Sequence, residues 1–152
     1  MDITISKAEY SFSIHATEDF DKNLEALANL IPEELIQETE LVVEELVGGY
    51  DNPIEYVTIT FSKQKLVNKI LDHLISQMSA EQKSQLYGEF EERFNQNKKS
   101  FHLRIDKQGI YNNELILSSA TNVIKIEIRL RSYVKDVNFK QFLVDRGLLF
   151  KD

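Results

Sequence analysis

The chain has no cysteine, only two prolines and only five glycines in 152 residues. Without cysteine it can form neither a disulfide nor a thiolate metal site, which fits a reducing interior. Its three histidines, His15, His73 and His102, share no i, i+4 spacing, so no metal-ligand set is spelled out. The scarce glycines form no phosphate-cradling loop, and neither Gly-x-Ser-x-Gly nor His-Glu-x-x-His occurs. No apolar stretch approaches the ~18 residues of a membrane span. No basic segment followed by an apolar run stands at the N-terminus. These absences predict a cytoplasmic, non-enzymatic protein with no cofactor, no metal and no membrane partner.

Acid is plentiful but unevenly spread. The net charge of −7 argues against a simple polyanion binder. Residues 1–60 hold 14 of the 25 acids and, of the 18 bases, only Lys7 and Lys22. The rest of the chain holds 16 bases and 11 acids. Any anion should therefore be met by the second half.

The length suits one domain over residues 1–152 with a core of its own. Tyr10, Phe12 and Ile14 alternate with Ser11, Ser13 and His15, predicting a half-buried strand. Thr17 is placed to cap a helix with Glu18, Asp19 and Asp21 in its first turn and Phe20, Leu24, Leu27 and Ile31 as its stripe. Pro32 closes it. Leu41-Val42-Val43 reads as a strand before a turn at Gly48-Gly49, and Val57, Ile59 and Phe61 mark another. Ser62 is placed to cap a helix carrying Leu66, Ile70 and Leu74. Ser79-Ala-Glu-Gln82 is a capping box for a second, with Leu86, Phe90 and Phe94. Strands follow at Phe101–Ile105, Leu115–Leu117 and Asn122–Arg131, with a turn at Gly109, before a helix built on Phe139, Phe142 and Leu143. Strands in a run, not alternating with helices, predict an α+β fold: a mostly antiparallel sheet with helices packed on one face. The other face would be polar and open.

Three polar strings stand where a hydrophobic period stops or changes: His15-Ala-Thr-Glu-Asp19, Gly48-Gly-Tyr-Asp-Asn-Pro-Ile54 and Arg104-Ile-Asp-Lys-Gln108. The first suits helix capping better than acid–base catalysis, since no second catalytic partner is nearby. The second offers glycine backbone for close approach and Tyr50 for stacking, against the plainer reading of a strand connection. In the third, Lys107 and Gln108 are expected at the sheet edge, as a phosphate donor and a base-edge or backbone partner. Asp106 would orient Lys107 or stabilise the turn. If the late strands share a sheet, Arg104, Lys125, Arg129 and Arg131 project from one side. Such a stripe can neutralise phosphates and stack on bases. Alternatively it is a solvated charge ladder, with Glu127 and Asp106 pairing locally.

Taken in order, the three strings resemble a small archaeal family described as RNA-binding domain proteins or predicted exosome subunits. The resemblance runs from about Ile5 to Tyr133 and includes Leu103 ahead of the third string. It implies a fold similar to the ribosomal protein that contacts 5S rRNA. It further implies RNA as partner, in exosome-related RNA processing or ribosome-related machinery. The family's loop usually has a His where Gly49 stands and a Gly where Asp51 stands, and Asp51 would meet a phosphate less easily.

The expected function is thus RNA binding through Arg104, Lys107, Gln108, Lys125, Arg129 and Arg131. A competing reading is a protein-interaction or homodimerisation module without RNA contact, its acidic half recruiting a basic partner and its strand face pairing across a two-fold axis. A third is a nuclease using Asp19 or Asp106 with a metal.

Overall fold

Tyr10, Phe12 and Ile14 are buried along β1 (Ile3–His15), while Ser11 and Ser13 turn to the opposite side. That period-two alternation sets the two faces of the sheet. The computed structural model describes residues 3–47 and 53–152. Its further strands are β2 (Leu41–Val47), β3 (Pro53–Phe61), β4 (Phe94–Asn95), β5 (Ser100–Asp106) and β6 (Val123–Ser132). They form one sheet in the order β2-β3-β1-β6-β5-β4, and every neighbouring pair is antiparallel. The fold is α+β, as the run of strands predicts.

The apolar face is closed by α1 (Phe20–Ala28), α2 (Gln64–Gln77), α3 (Ala80–Gly88), α4 (Phe90–Arg93), α5 (Lys107–Tyr111) and α6 (Phe139–Arg146), with a short 3-10 helix at Glu33–Glu38. Ile126, Ile128 and Leu130 of β6 share one core with Leu27, Leu71, Leu74, Leu86 and Leu143 from these helices. Each such fully buried side chain contributes about 1.5–3 kcal/mol of transfer free energy. Tyr10 is wholly buried; its hydroxyl donates to the Leu30 carbonyl at 3.0 Å, and burial pushes the phenol well above its usual range. Opposite this core the sheet is polar.

Several local expectations change in the folded chain. Asp19, not Thr17, caps α1, accepting from the Asp21 and Lys22 amides at 2.9 and 3.3 Å. The preceding residues are held in a turn, with the Glu18 amide on the His15 carbonyl and the His15 amide on Glu18 Oε1. Lys63 stands at the N-cap of α2 without a side-chain bond, so Ser62 does not cap it. The capping box of Ser79 and Gln82 forms as read.

The stripe Leu86, Phe90, Phe94 is not one helix. Phe94 belongs to β4, opposite Phe101, and its ring stacks on Phe90 with centroids 4.9 Å apart. Gly109 lies inside α5; the left-handed turn after that helix is made by Asn113, at φ 62°. Asparagine tolerates this conformation because its short polar side chain bonds locally. Leu115–Leu117 forms no named strand, only a bridge from Leu117 to Ile105. Most of the Gly48–Ile54 string lies outside the described residues; Pro53 and Ile54 open β3.

Candidate functional site

Cross-strand register assembles the polar face row by row. Thr58, Ser11, Lys125 and Arg104 stand side by side across β3, β1, β6 and β5. The next row is Thr60, Glu9, Glu127 and His102, followed by Lys7, Arg129 and Ser100. Arg131 pairs with Thr4 beyond them. Arg104, Lys125, Arg129 and Arg131 therefore share one face. Ser11, Thr58, Arg104 and Lys125, together with the acids Glu9 and Glu127, help line a shallow depression of about 450 Å³ on it.

The charges on this face are unequally compensated. Arg129 Nη2 lies 3.2 Å from Glu127 Oε1, and Lys7 Nζ lies 3.6 Å from Glu9 Oε2. Arg104 and Lys125 sit directly opposite one another, and among the described residues neither forms an ion pair. Arg104 Nη2 donates to the Ala120 carbonyl at 2.9 Å, using one of its five N–H donors. Like charges directly opposite in a sheet are destabilising, so this pair is a place where an anion is favoured. Burial holds the His102 imidazole below its ordinary pKa, against the pull of Glu127 and with help from Lys98. Near neutral pH it adds little charge.

The charge-ladder alternative describes part of the face. Glu127 does pair locally with Arg129, but Asp106 does not join: its carboxylate caps α5, accepting from the Gly109 amide at 2.9 Å. Of the two roles open to Asp106, it takes the turn-stabilising one. Asp19 is likewise occupied as a cap. Among the described residues no group of three His, Asp or Glu is positioned to hold a metal ion, and no helix is long and apolar enough to cross a membrane.

Lys107 corrects the expectation of an edge-presented phosphate donor. It is buried, its ammonium directed inward onto the Ser13 carbonyl at 2.6 Å, Asn23 Oδ1 at 2.9 Å and Glu18 Oε2 at 3.2 Å. Those three oxygens satisfy all three of its donors. Gln108 is exposed in the first turn of α5, beside Lys22 and Asn122, and does not line the depression of Arg104 and Lys125.

Other residues of the face escaped notice in the sequence. A register shift between Ile5 and Lys7 interrupts the alternation of β1 and hides Lys7. Tyr133 follows Arg129 and Arg131 at the same two-residue spacing, a signal that could have found it. It is 82% exposed, and the Arg131 guanidinium lies 5.3 Å from its ring centroid.

Residues 7–130 match a family described as RNA binding. The chain is 35% identical over 121 residues to an RNA-binding protein of Pyrococcus abyssi, spanning 79% of this chain and 78% of that one. It is 32% identical over 124 residues to an uncharacterized protein of Methanocaldococcus jannaschii, spanning 80% and 81%. The crystal structure of a protein from Archaeoglobus fulgidus superposes with a TM-score of 0.81 at 30% identity, covering 94% of this chain and 99% of that one. The chain belongs to this RNA-binding family, and these relatives are archaeal.

Proposed function

We propose that this member of the RNA-binding family holds RNA against the open face of its sheet. Arg104, Lys125, Arg129 and Arg131 contact the phosphates, and the arginines also offer planar surfaces to bases. Gln108, exposed at the neighbouring strand end, reaches backbone or base edges. The carrying observation is the Arg104–Lys125 pair, two cations opposed across one ladder without an ion-pair partner among the described residues. Phosphates would relieve that repulsion. The role proposed is non-enzymatic, and the use of Asp19 and Asp106 as helix caps counts against the nuclease alternative built on them. Its setting is exosome-related RNA processing or ribosome-related machinery, following the family resemblance.

The test is a titration of labelled single-stranded RNA read by fluorescence anisotropy across a salt series. Affinity should fall by ~0.7 log units per phosphate contact for each log unit of salt. No binding at low salt would overturn the proposal.

A specific observation also favours homodimerisation, by a route other than the basic face. β2 ends the sheet, and Leu41, Val42, Val43 and Leu46 along it are exposed. An apolar edge strand is a template for pairing with another chain. Antiparallel self-pairing about Val43 would set Glu44 opposite Val42 and Glu45 opposite Leu41, so that no two glutamates meet. Such a dimer leaves the basic face open, and RNA binding and dimerisation are then compatible.

A further inference from the structure

Tyr133 is unusual as an exposed aromatic on a chain whose other rings mostly pack into the core. At 82% exposure, with a guanidinium over one face, its ring leaves the second face to solvent. The backbone on both sides is held: the Ser132 hydroxyl donates to the Val134 carbonyl at 2.9 Å and accepts from the Val134 amide at 3.1 Å. Cations gather around it. The Leu130 amide donates to the Lys99 carbonyl at 2.8 Å, bringing the β4–β5 turn against the end of β6. In that turn Asn95 Oδ1 accepts from the Asn97 and Lys98 amides, both at 3.0 Å.

Lys98, Lys99 and Lys135 are exposed, and among the described residues none of the three forms an ion pair. Tyr133, Lys99 and Lys135 border a depression of about 810 Å³ backed by Phe94 and Phe139. Its acids are Glu91, which pairs with Lys140 at 3.3 Å, and Asp136.

We infer that Tyr133 is a stacking platform for one unpaired RNA base, with Lys99 and Lys135 receiving the phosphates on either side. The inference rests on the RNA-binding reading and specifies its substrate: single-stranded RNA or a loop, because inside a duplex both ring faces of a base are covered by its stacked neighbours. Base–aromatic stacking tolerates sequence, since every base has a π-face, and a neighbouring arginine strengthens it. A purely apolar partner would leave Lys99 and Lys135 uncompensated beside the ring. Arg131 and then Arg129, itself paired with Glu127, lie along β6 between the platform and the Arg104–Lys125 row, so one strand can run along the face and end on Tyr133.

The chain contains no tryptophan. Tyr133→Trp therefore carries a single indole whose emission reports stacking directly. Labelled single-stranded RNA is titrated with wild type, Tyr133→Trp, Tyr133→Ala and Tyr133→Phe, with a duplex of the same sequence as control. The expected result is quenching of Tyr133→Trp emission that saturates with the anisotropy change and is much weaker with duplex. Tyr133→Ala should bind roughly 5- to 150-fold more weakly, the loss of one stacked base, and Tyr133→Phe within about twofold of wild type. Anisotropy binding that persists with unchanged indole emission and undiminished Tyr133→Ala affinity overturns the platform and leaves RNA binding standing. A wild type that binds no RNA overturns both.

Discussion

Lys107 and Glu18 meet at 3.2 Å across 89 residues of chain, and they join two of the three polar strings of the sequence. The contact ties the start of α5 to the turn before α1. With the Ser13 carbonyl and Asn23 Oδ1 on the same ammonium, it locks both to β1.

Lys107→Met keeps the length of the buried stem and removes the charge. It leaves the Ser13, Asn23 and Glu18 oxygens without their donor. Urea denaturation should show a loss of about 2–4 kcal/mol, the range for a buried polar cluster deprived of one partner. A variant as stable as wild type would show that Lys107 is not a structural tie.

The same contact shapes the acid limb of stability. Burial alone would raise the Glu18 carboxyl, but the His15 amide, then Lys107, and finally Asn23 bring it below its ordinary value. A carboxyl depressed in the folded state stabilises fully above its unfolded pKa, ~4.3, and that stabilisation fades as pH falls through the folded pKa. Glu18→Gln should therefore cost stability at neutral pH and flatten the decline below pH ~4. Thermal melts across a pH series read this directly; a variant with the wild-type acid slope would contradict it.

Arg104→Glu separates function from stability because the two should move apart. It turns a like-charge cross-strand pair with Lys125 into an opposite-charge one, worth up to about 1 kcal/mol in favour of the fold, against loss of the bond to the Ala120 carbonyl. The melting temperature should hardly change. RNA affinity should drop at least tenfold, and the salt slope should become shallower by ~0.7 per lost contact. Unchanged affinity would remove this row from the interface.

Val42→Lys probes the exposed edge. Lysine on an edge strand blocks pairing with another chain, so light scattering should show a dimer for wild type and a monomer for the variant. Val42 is the β2 end of the row Thr58, Ser11, Lys125 and Arg104, with β3 and β1 between it and Lys125, so an added lysine there should not weaken RNA binding. A wild type that is monomeric at high concentration would dispose of the edge-paired dimer.

Much of this architecture was legible locally. The alternation in β1, β3 and β6, the capping box at Ser79 and the stripe of α6 each rest on neighbours within a few residues, and each forms as read. What failed was equally local in cause. Thr17 and Asp19 both suit a cap, and only the turn at His15–Glu18 decides between them. Phe94 keeps the helical spacing but is drawn into the sheet by Phe101 and Phe90.

The basic face divides along the same line. By itself the sequence determined that Arg104, Lys125, Arg129 and Arg131 alternate with buried isoleucines and leucines, because side-chain direction in a strand follows parity alone. It also determined that cations concentrate after residue 60. Only the tertiary structure decided that β5 lies beside β6 in a register opposing Arg104 to Lys125, and that Lys107 turns inward. Those outcomes depend on partners supplied from distant segments, and a charge becomes an exposed donor or a buried tie according to which oxygens the fold brings to it.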